Sequence, residues 1–268
     1  MVENERVINH AVDYIVGSQI DPAYWMNGVP EHLIFIGLEN NNSYLGEDGN
    51  DYLNGGAGDD SLNGADGDDI MIGGDGDDRL FDFWGADTMD GGTGDDSLNA
   101  SGSGKGDPGD LLLGGAGDDT IKAGASDDTL DGGADDDIMS GGAGNDSVDG
   151  GSGADTMTGG EGNDTMHGGE GDDSMDGGSG DDTMTGGEGN DTMHGGEGND
   201  IVQGGQGDDV INGGNGINWL FGDDGDDTMI GGSDEELIHG GEGDDQIRSG
   251  AGNDVVLGAE GNDTMAGG

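Results

Sequence analysis

From residue 46 onward, one apolar residue returns in every nine, set between polar neighbours. The series opens Leu53, Leu62, Met71, Leu80, Met89 and Leu98. It slips once, resumes at Leu112 and Ile121, and keeps step to Met265. All 24 members are aliphatic or methionine, and the flanking residues are mostly Thr, Ser, Asn, Asp or His. Polar, apolar, polar over three residues is strand alternation with the middle residue inward. The six residues between strands follow Gly-Gly-x-Gly-(Asn/Asp)-Asp, a composition that reads as turn. Each nonapeptide therefore predicts a tight turn and a three-residue strand. Two nonapeptides predict one coil of eighteen residues, with two thin parallel sheets facing each other across a single row of side chains. A fixed short period marks a solenoid, in which each repeat buries its core only against its neighbours.

Two stretches depart from the period. In residues 1–45, Ile8, Val12, Ile15 and Val16 sit at helical spacing and predict a short helix stopped by Gly17. Residues 32–38 (HLIFIGL) predict a buried strand, and residues 37–45 resemble a worn first repeat. The segment 1–45 is expected to cap the open apolar end of the roll, with docking to another subunit as the sharper reading. Residues 100–104 (ASGSG) break the period as an inserted surface loop. At the other end, Gly267 and Gly268 begin a further repeat. An open solenoid end is a template for another chain, so the expected partner is a second copy, stacked head to tail.

One apolar side chain per nine residues is a thin core for so glycine-rich a chain, because glycine loses the most backbone freedom on folding. Something other than burial must favour the folded form. The sixth position of the repeat is Asp in 22 of 24 copies, the exceptions being Asn218 and Glu236. Stacked coils put these carboxylates in columns about 4.7–4.9 Å apart, where bare charges would repel. A hard cation between turns reverses that term. Calcium suits, because it takes six to eight oxygens, carboxylate and carbonyl together, in flexible geometry.

The nonapeptides GGAGDDSLN at 55–63, GGEGNDTMH at 159–167 and GGQGDDVIN at 204–212 resemble the RTX (repeats-in-toxin) calcium-binding β-roll family. The resemblance covers residues 46–268. It implies an all-β, right-handed parallel β-roll of about twelve coils, with a small helix/strand cap at the N-terminus. In that family the first six residues of each repeat bind Ca²⁺ and the last three form the strand. Carried over position by position, the carboxylate ligands are Asp51, Asp60, Asp69, Asp78, Asp96, Asp119, Asp128, Asp137, Asp146, Asp155, Asp164, Asp173, Asp182, Asp191, Asp200, Asp209, Asp227, Asp245, Asp254 and Asp263. Turn carbonyls join them, those of Gly160, Gly162, Gly169, Gly171, Gly178, Gly180, Gly187 and Gly189 in the most regular block, 141–212. On the order of twenty ions are implied. Sites at Asn218 and Glu236 are expected to be poor, and the repeats at 82–90, 123–131 and 132–140, which lack some glycines, to bind weakly.

Charge fits this reading. A net charge of −57 on about twelve coils exceeds the linear density of duplex DNA, and without calcium it predicts a disordered chain. Five basic residues against 62 acidic ones exclude nucleic acid and anionic membrane surfaces as partners. No apolar run could span a bilayer, cysteine is absent, and residues 1–6 (MVENER) lack the basic and apolar regions of an ordinary signal peptide. The family resemblance implies export in the unfolded state and folding outside the cell. No catalytic set is expected. His167, His194 and His239 occupy the outward ninth position, and ten of the twelve Met residues are core. The expected role is a secreted or cell-surface structural protein that self-assembles into fibres or a layer. The alternatives are a calcium-dependent folding and secretion module of a larger RTX enzyme, toxin or adhesin, or a plain calcium buffer.

Overall fold

The computed structural model describes residues 8–9, 12–16, 33–101 and 108–268. Every regular element among them is a β-strand, and they group into two units, Met1–Thr129 and Leu130–Gly268. In the first unit one sheet runs Ile8–Asn9, Val12–Val16, Leu33–Ile36, Tyr52–Ala57, Ile70–Asp75, Thr88–Thr93, Leu111–Ala116. The second runs Ser43–Leu45, Ser61–Asn63, Arg79–Phe81, Ser97–Asn99, Thr120–Gly124. From Leu33 the chain alternates between the two sheets, each strand pairing in parallel with the one a coil later. The second unit repeats the plan, from Thr129–Ala134 and Ile138–Ala143 to Val255–Glu260 and Thr264–Gly267. The units hold five and eight coils, thirteen in all. The excess over the twelve expected is the coil made by Leu33–Ile36 and Ser43–Leu45, upstream of Gly46, with Phe35 and Tyr44 stacked in its interior.

Three expectations change. The helix over 8–16 is instead a pair of antiparallel strands, Ile8–Asn9 and Val12–Val16, and the latter runs parallel to Leu33–Ile36. Five residues rich in Val and Ile form a strand more readily than an isolated helical turn when a sheet edge is free to pair with them. The second change concerns the turn. Ser43–Leu45, Ser61–Asn63, Arg79–Phe81 and Ser97–Asn99 keep the three residues expected, but most other strands do not stop after the ninth position and run on through both glycines to the third, as in Thr165–Glu170 (TMHGGE). In-register pairs such as Gly169↔Gly187 extend the ladder; glycine carries no side chain, so alternation cannot report them. The third is the insertion. Carboxylates normally eighteen residues apart stand twenty-three apart across it, so the extra residues leave the columns in register. Positions 102–104 of that loop, Gly17 and His32 lie outside the described residues.

The core is the single row foreseen. Inward residues from Leu53 to Ile247 are at most 3% exposed, Leu53 through Ile121 in the first unit and Leu130 through Ile247 in the second.

Candidate metal centres

Up to Asp245 each sixth-position aspartate is buried at the corner where turn becomes strand, and its two carboxylate oxygens do different work. Oδ1 accepts a hydrogen bond from the backbone N–H of the aspartate one coil earlier: Asp146 N–H to Asp164 at 2.8 Å, Asp164 to Asp182 at 2.8 Å, Asp191 to Asp209 at 2.8 Å. Half of every carboxylate is thus a clamp between coils, a role the sequence reading did not include. A second ladder runs the opposite way at the fifth position, where Asn145 Oδ1 accepts from Asn163 N–H and Asn163 Oδ1 from Asp181 N–H. This accounts for Asn or Asp at that place, since their short side chains reach backbone donors.

Oδ2 points elsewhere. In Asp60, Asp155, Asp164, Asp173, Asp182, Asp191, Asp200, Asp209, Asp227 and Asp245 it is buried without a hydrogen-bond partner. A methyl group placed on Gly159 would collide with Oδ2 of Asp164 and stand 2.7 Å from the carbonyl oxygen of Gly177, one coil on. The same holds at Gly177, between Asp182 Oδ2 and the Gly195 carbonyl, and at Gly195, between Asp200 Oδ2 and the Gly213 carbonyl. A carboxylate oxygen and a carbonyl oxygen therefore converge on the open side of each first-position glycine. These glycines have ordinary φ, and their missing Cβ keeps the space clear. Second- and fourth-position glycines differ: Gly160 and Gly162 have φ of +126° and +134°. Their carbonyl oxygens lie against Gly178 and Gly180 of the following coil, and the pairs at Gly169, Gly171, Gly187 and Gly189 are placed alike.

Orphaned buried carboxylate oxygens are costly unless paired. Burial, the largest cause, pushes the carboxyls of Asp155, Asp164, Asp191 and Asp200 above their usual range. Asp96, Asp173, Asp182, Asp209 and Asp227 are pushed up to about 7 by burial, with neighbouring carboxylates adding to it. A hard cation with oxygen preference fits this donor set, and a thiol- or imidazole-seeking metal does not. Calcium held here supplies the counter-charge that the chain lacks.

The sites differ along the chain. Asp51, Asp69, Asp78, Asp119, Asp128 and Asp137 are buried in the same position, whereas Asp254 and Asp263 are half-buried in the last coil. Asn218 keeps the clamp, accepting from Asp200 N–H at 2.9 Å, but its Nδ2 donates to the Gly216 carbonyl at 3.3 Å where a regular site has Oδ2. That corner offers a cation a donor instead of an acceptor. Asn218 and Glu236 also prove to be consecutive in one column. Asp87 and Asp110, sixth-position residues that the carried-over ligand set leaves out, are buried in this ladder, taking hydrogen bonds from Asp69 and Asp87 N–H at 2.8 Å; their place in the period was the signal for them. Asp82 was missed too. It occupies a first position, is fully buried, and its carboxyl is pushed up to about 9 by burial and then by Asp87 and Asp69. Oxygens of Asp69, Asp82 and Asp87 lie within 4.8 Å of one another, the one compact trio of potential ligands among the described residues.

No curated protein matches the sequence. A solved structure is similar over 97% of this chain and 85% of its own, with a TM-score of 0.70 at 21% identity. It is the crystal structure of a hyperactive, Ca²⁺-dependent, β-helical antifreeze protein from an Antarctic bacterium, and at that identity it speaks to the fold. The family model for the RTX calcium-binding nonapeptide repeat (4 copies) matches in overlapping copies, the first at 36–71 and the last at 230–265, leaving only a stretch around the inserted loop between 98 and 113 unmatched within that span. The repeat, the solenoid and the buried oxygen cradles agree with that match, and the chain belongs to the RTX calcium-binding nonapeptide repeat family.

Proposed function

We propose that this is a non-catalytic structural protein that folds on calcium outside the cell and stacks head to tail. Calcium dependence follows from the cradles, because the ion-free fold buries a column of carboxylates against their own repulsion. Extracellular calcium modules bind at about 10⁻⁴–10⁻³ M, so such a chain stays unfolded at cytosolic calcium and folds after export. The observation that carries the reading is the column of buried Oδ2 atoms without a hydrogen-bond partner; stacking is a further step, and it rests on the last coil. Met265, at the inward position, is 54% exposed, while its counterparts from Leu53 to Ile247 are at most 3% exposed. The strands Val255–Glu260 and Thr264–Gly267 present parallel edges beside it, a template that another coil satisfies. The same edge would equally accept further repeats of a longer RTX protein, which is the second reading.

Light scattering during a calcium titration of chelator-treated protein tests the proposal. Growth well beyond one chain, reversed by chelator, supports stacking. Compaction at constant monomer mass removes the assembly reading and favours the module. No response to calcium removes both.

A further inference from the structure

The repeat at 82–90 (DFWGADTMD) departs from the family pattern where the cradle forms. Its first position, glycine in regular copies, is Asp82, and the second and third are Phe83 and Trp84. Asp82 is fully buried. Its Oδ1 accepts from Phe83 N–H at 2.6 Å and Trp84 N–H at 3.4 Å, which fixes the carboxylate plane. Its Oδ2 is buried, receives no hydrogen bond from a nitrogen or hydroxyl donor, and points at the space beside Gly64, toward which Asp69 Oδ2 also points, so that a cation or a shared proton must hold the two together. Asp87 completes the group, its own Oδ1 clamped by Asp69 N–H at 2.8 Å. A regular coil brings one carboxylate per turn to each column; here two belong to a single turn, and a third faces them from the turn before.

Resting on the calcium reading above, we propose that Asp69, Asp82 and Asp87 form a three-carboxylate cation site, stronger for divalent and trivalent ions than the regular sites. Oxygen-donor sites for calcium are tuned by how many ligand charges they carry and how rigidly these are held. This site gains on both counts, with an extra charge and a carboxylate locked by two backbone donors. The missing glycine, which from the sequence alone marks a weak site, is the substitution that supplies the third ligand. The departure also places a tryptophan two residues from the metal ligand, and Trp84 serves as an antenna for a bound lanthanide.

The test is tryptophan-sensitised terbium emission from the full chain, with calcium uptake measured in parallel. In the parent protein the first equivalent of Tb³⁺ should produce emission that Trp84→Phe abolishes and Trp219→Phe leaves unchanged. Asp82→Gly restores the family residue and so retains the fold; Asp82→Asn keeps the shape and removes the charge. Both should weaken the first binding step at least tenfold while most of the calcium uptake is retained. A first step that neither Asp82 variant weakens, or sensitised emission that survives Trp84→Phe, overturns the proposal, the two buried carboxyls then sharing a proton instead. Absence of calcium uptake in parent and variants alike overturns the calcium reading itself, which separates the two failures.

Discussion

The sharpest test of the division of labour within each carboxylate is Asp164→Asn. The change keeps Oδ1, and with it the 2.8 Å hydrogen bond from Asp146 N–H. It replaces the unpartnered Oδ2 by an NH₂, as nature has done at Asn218. If Oδ2 is a calcium ligand, the variant lacks one ion's worth of stabilisation. An ion present at about 10–100 times its dissociation constant contributes about 1.4–2.7 kcal/mol. For a chain of this size that corresponds to a fall in Tm of about 3–10 °C. The dependence on calcium is more diagnostic than the size, because losing one site makes the gap between the proteins widen by about 1.4 kcal/mol per tenfold rise in free calcium. Toward the lowest calcium that still folds the chain the gap should close and then reverse, since the variant no longer buries a carboxylate that burial pushes above its usual range. Thermal unfolding followed by circular dichroism at buffered free calcium reads both limbs. A gap that is the same at every calcium concentration would mean that Asp164 acts only through its backbone clamp, and the metal assignment would fail.

Other outcomes follow from the same geometry. In the ion-free fold Asp173, Asp182, Asp209 and Asp227 are raised to about 7. Such groups contribute stability that is complete below their unfolded value near 4 and is lost as pH rises through 7. Chelated protein, unfolded at pH 8, should therefore gain structure by pH 5, read by circular dichroism. Calcium affinity should run the other way, falling as pH drops below 7; an affinity that is the same at pH 5 and pH 8, or chelated protein equally unfolded at both, would contradict this. Gly162→Ala forces a methyl into φ +134° and against the Gly144 carbonyl, costing about 1–3 kcal/mol at every calcium concentration that folds the chain. Gly159→Ala, at ordinary φ, should instead abolish one calcium site, as counted by equilibrium dialysis. Ala65 holds φ of +90° where most repeats have glycine, so Ala65→Gly should raise stability by about 1 kcal/mol in denaturant titration.

Much of this was legible because the repeat states its own period. A residue such as Met166 between Thr165 and His167 reveals both the strand and its inward face, and Asp164 reveals the column. The backbone is what the pattern could not report. Gly168 and Gly169 belong to the strand, which no side-chain alternation can show, and first-position glycines clear a cradle while second- and fourth-position ones supply positive φ. Sequence treats the three as one letter. The splitting of Asp164 into a clamping and an open oxygen needs the coil-to-coil register, as does the neighbourhood of Asn218 and Glu236. Asp82 was hidden for a different reason: its departure from the pattern looked like loss when only the missing glycine was weighed.

The pairing of those two exceptions has its own physical logic. At Asn218 and Glu236 one column loses its regular ligand in successive coils, while the facing column keeps Asp209, Asp227 and Asp245 buried. The strand after Asn218 carries apolar residues on its outer face, where most repeats place Thr or Ser. Ile201, Trp219, Leu237 and Val255 align in register across four coils, and Phe221 and His239 rings lie 6.5 Å apart on the same face. Cross-strand pairs of this kind contribute about 0.2–1 kcal/mol each. Three pairs in a row therefore offset about as much as one calcium ion contributes at about ten times its dissociation constant. Where this column gives up counter-charge, side-chain packing on the exposed sheet is there to hold the coils, as it also is across Ile34, Tyr52 and Ile70 beside an intact column. The two are alternative means of holding one coil against the next, and the repeat tolerates the exchange because each coil has to satisfy only its neighbours.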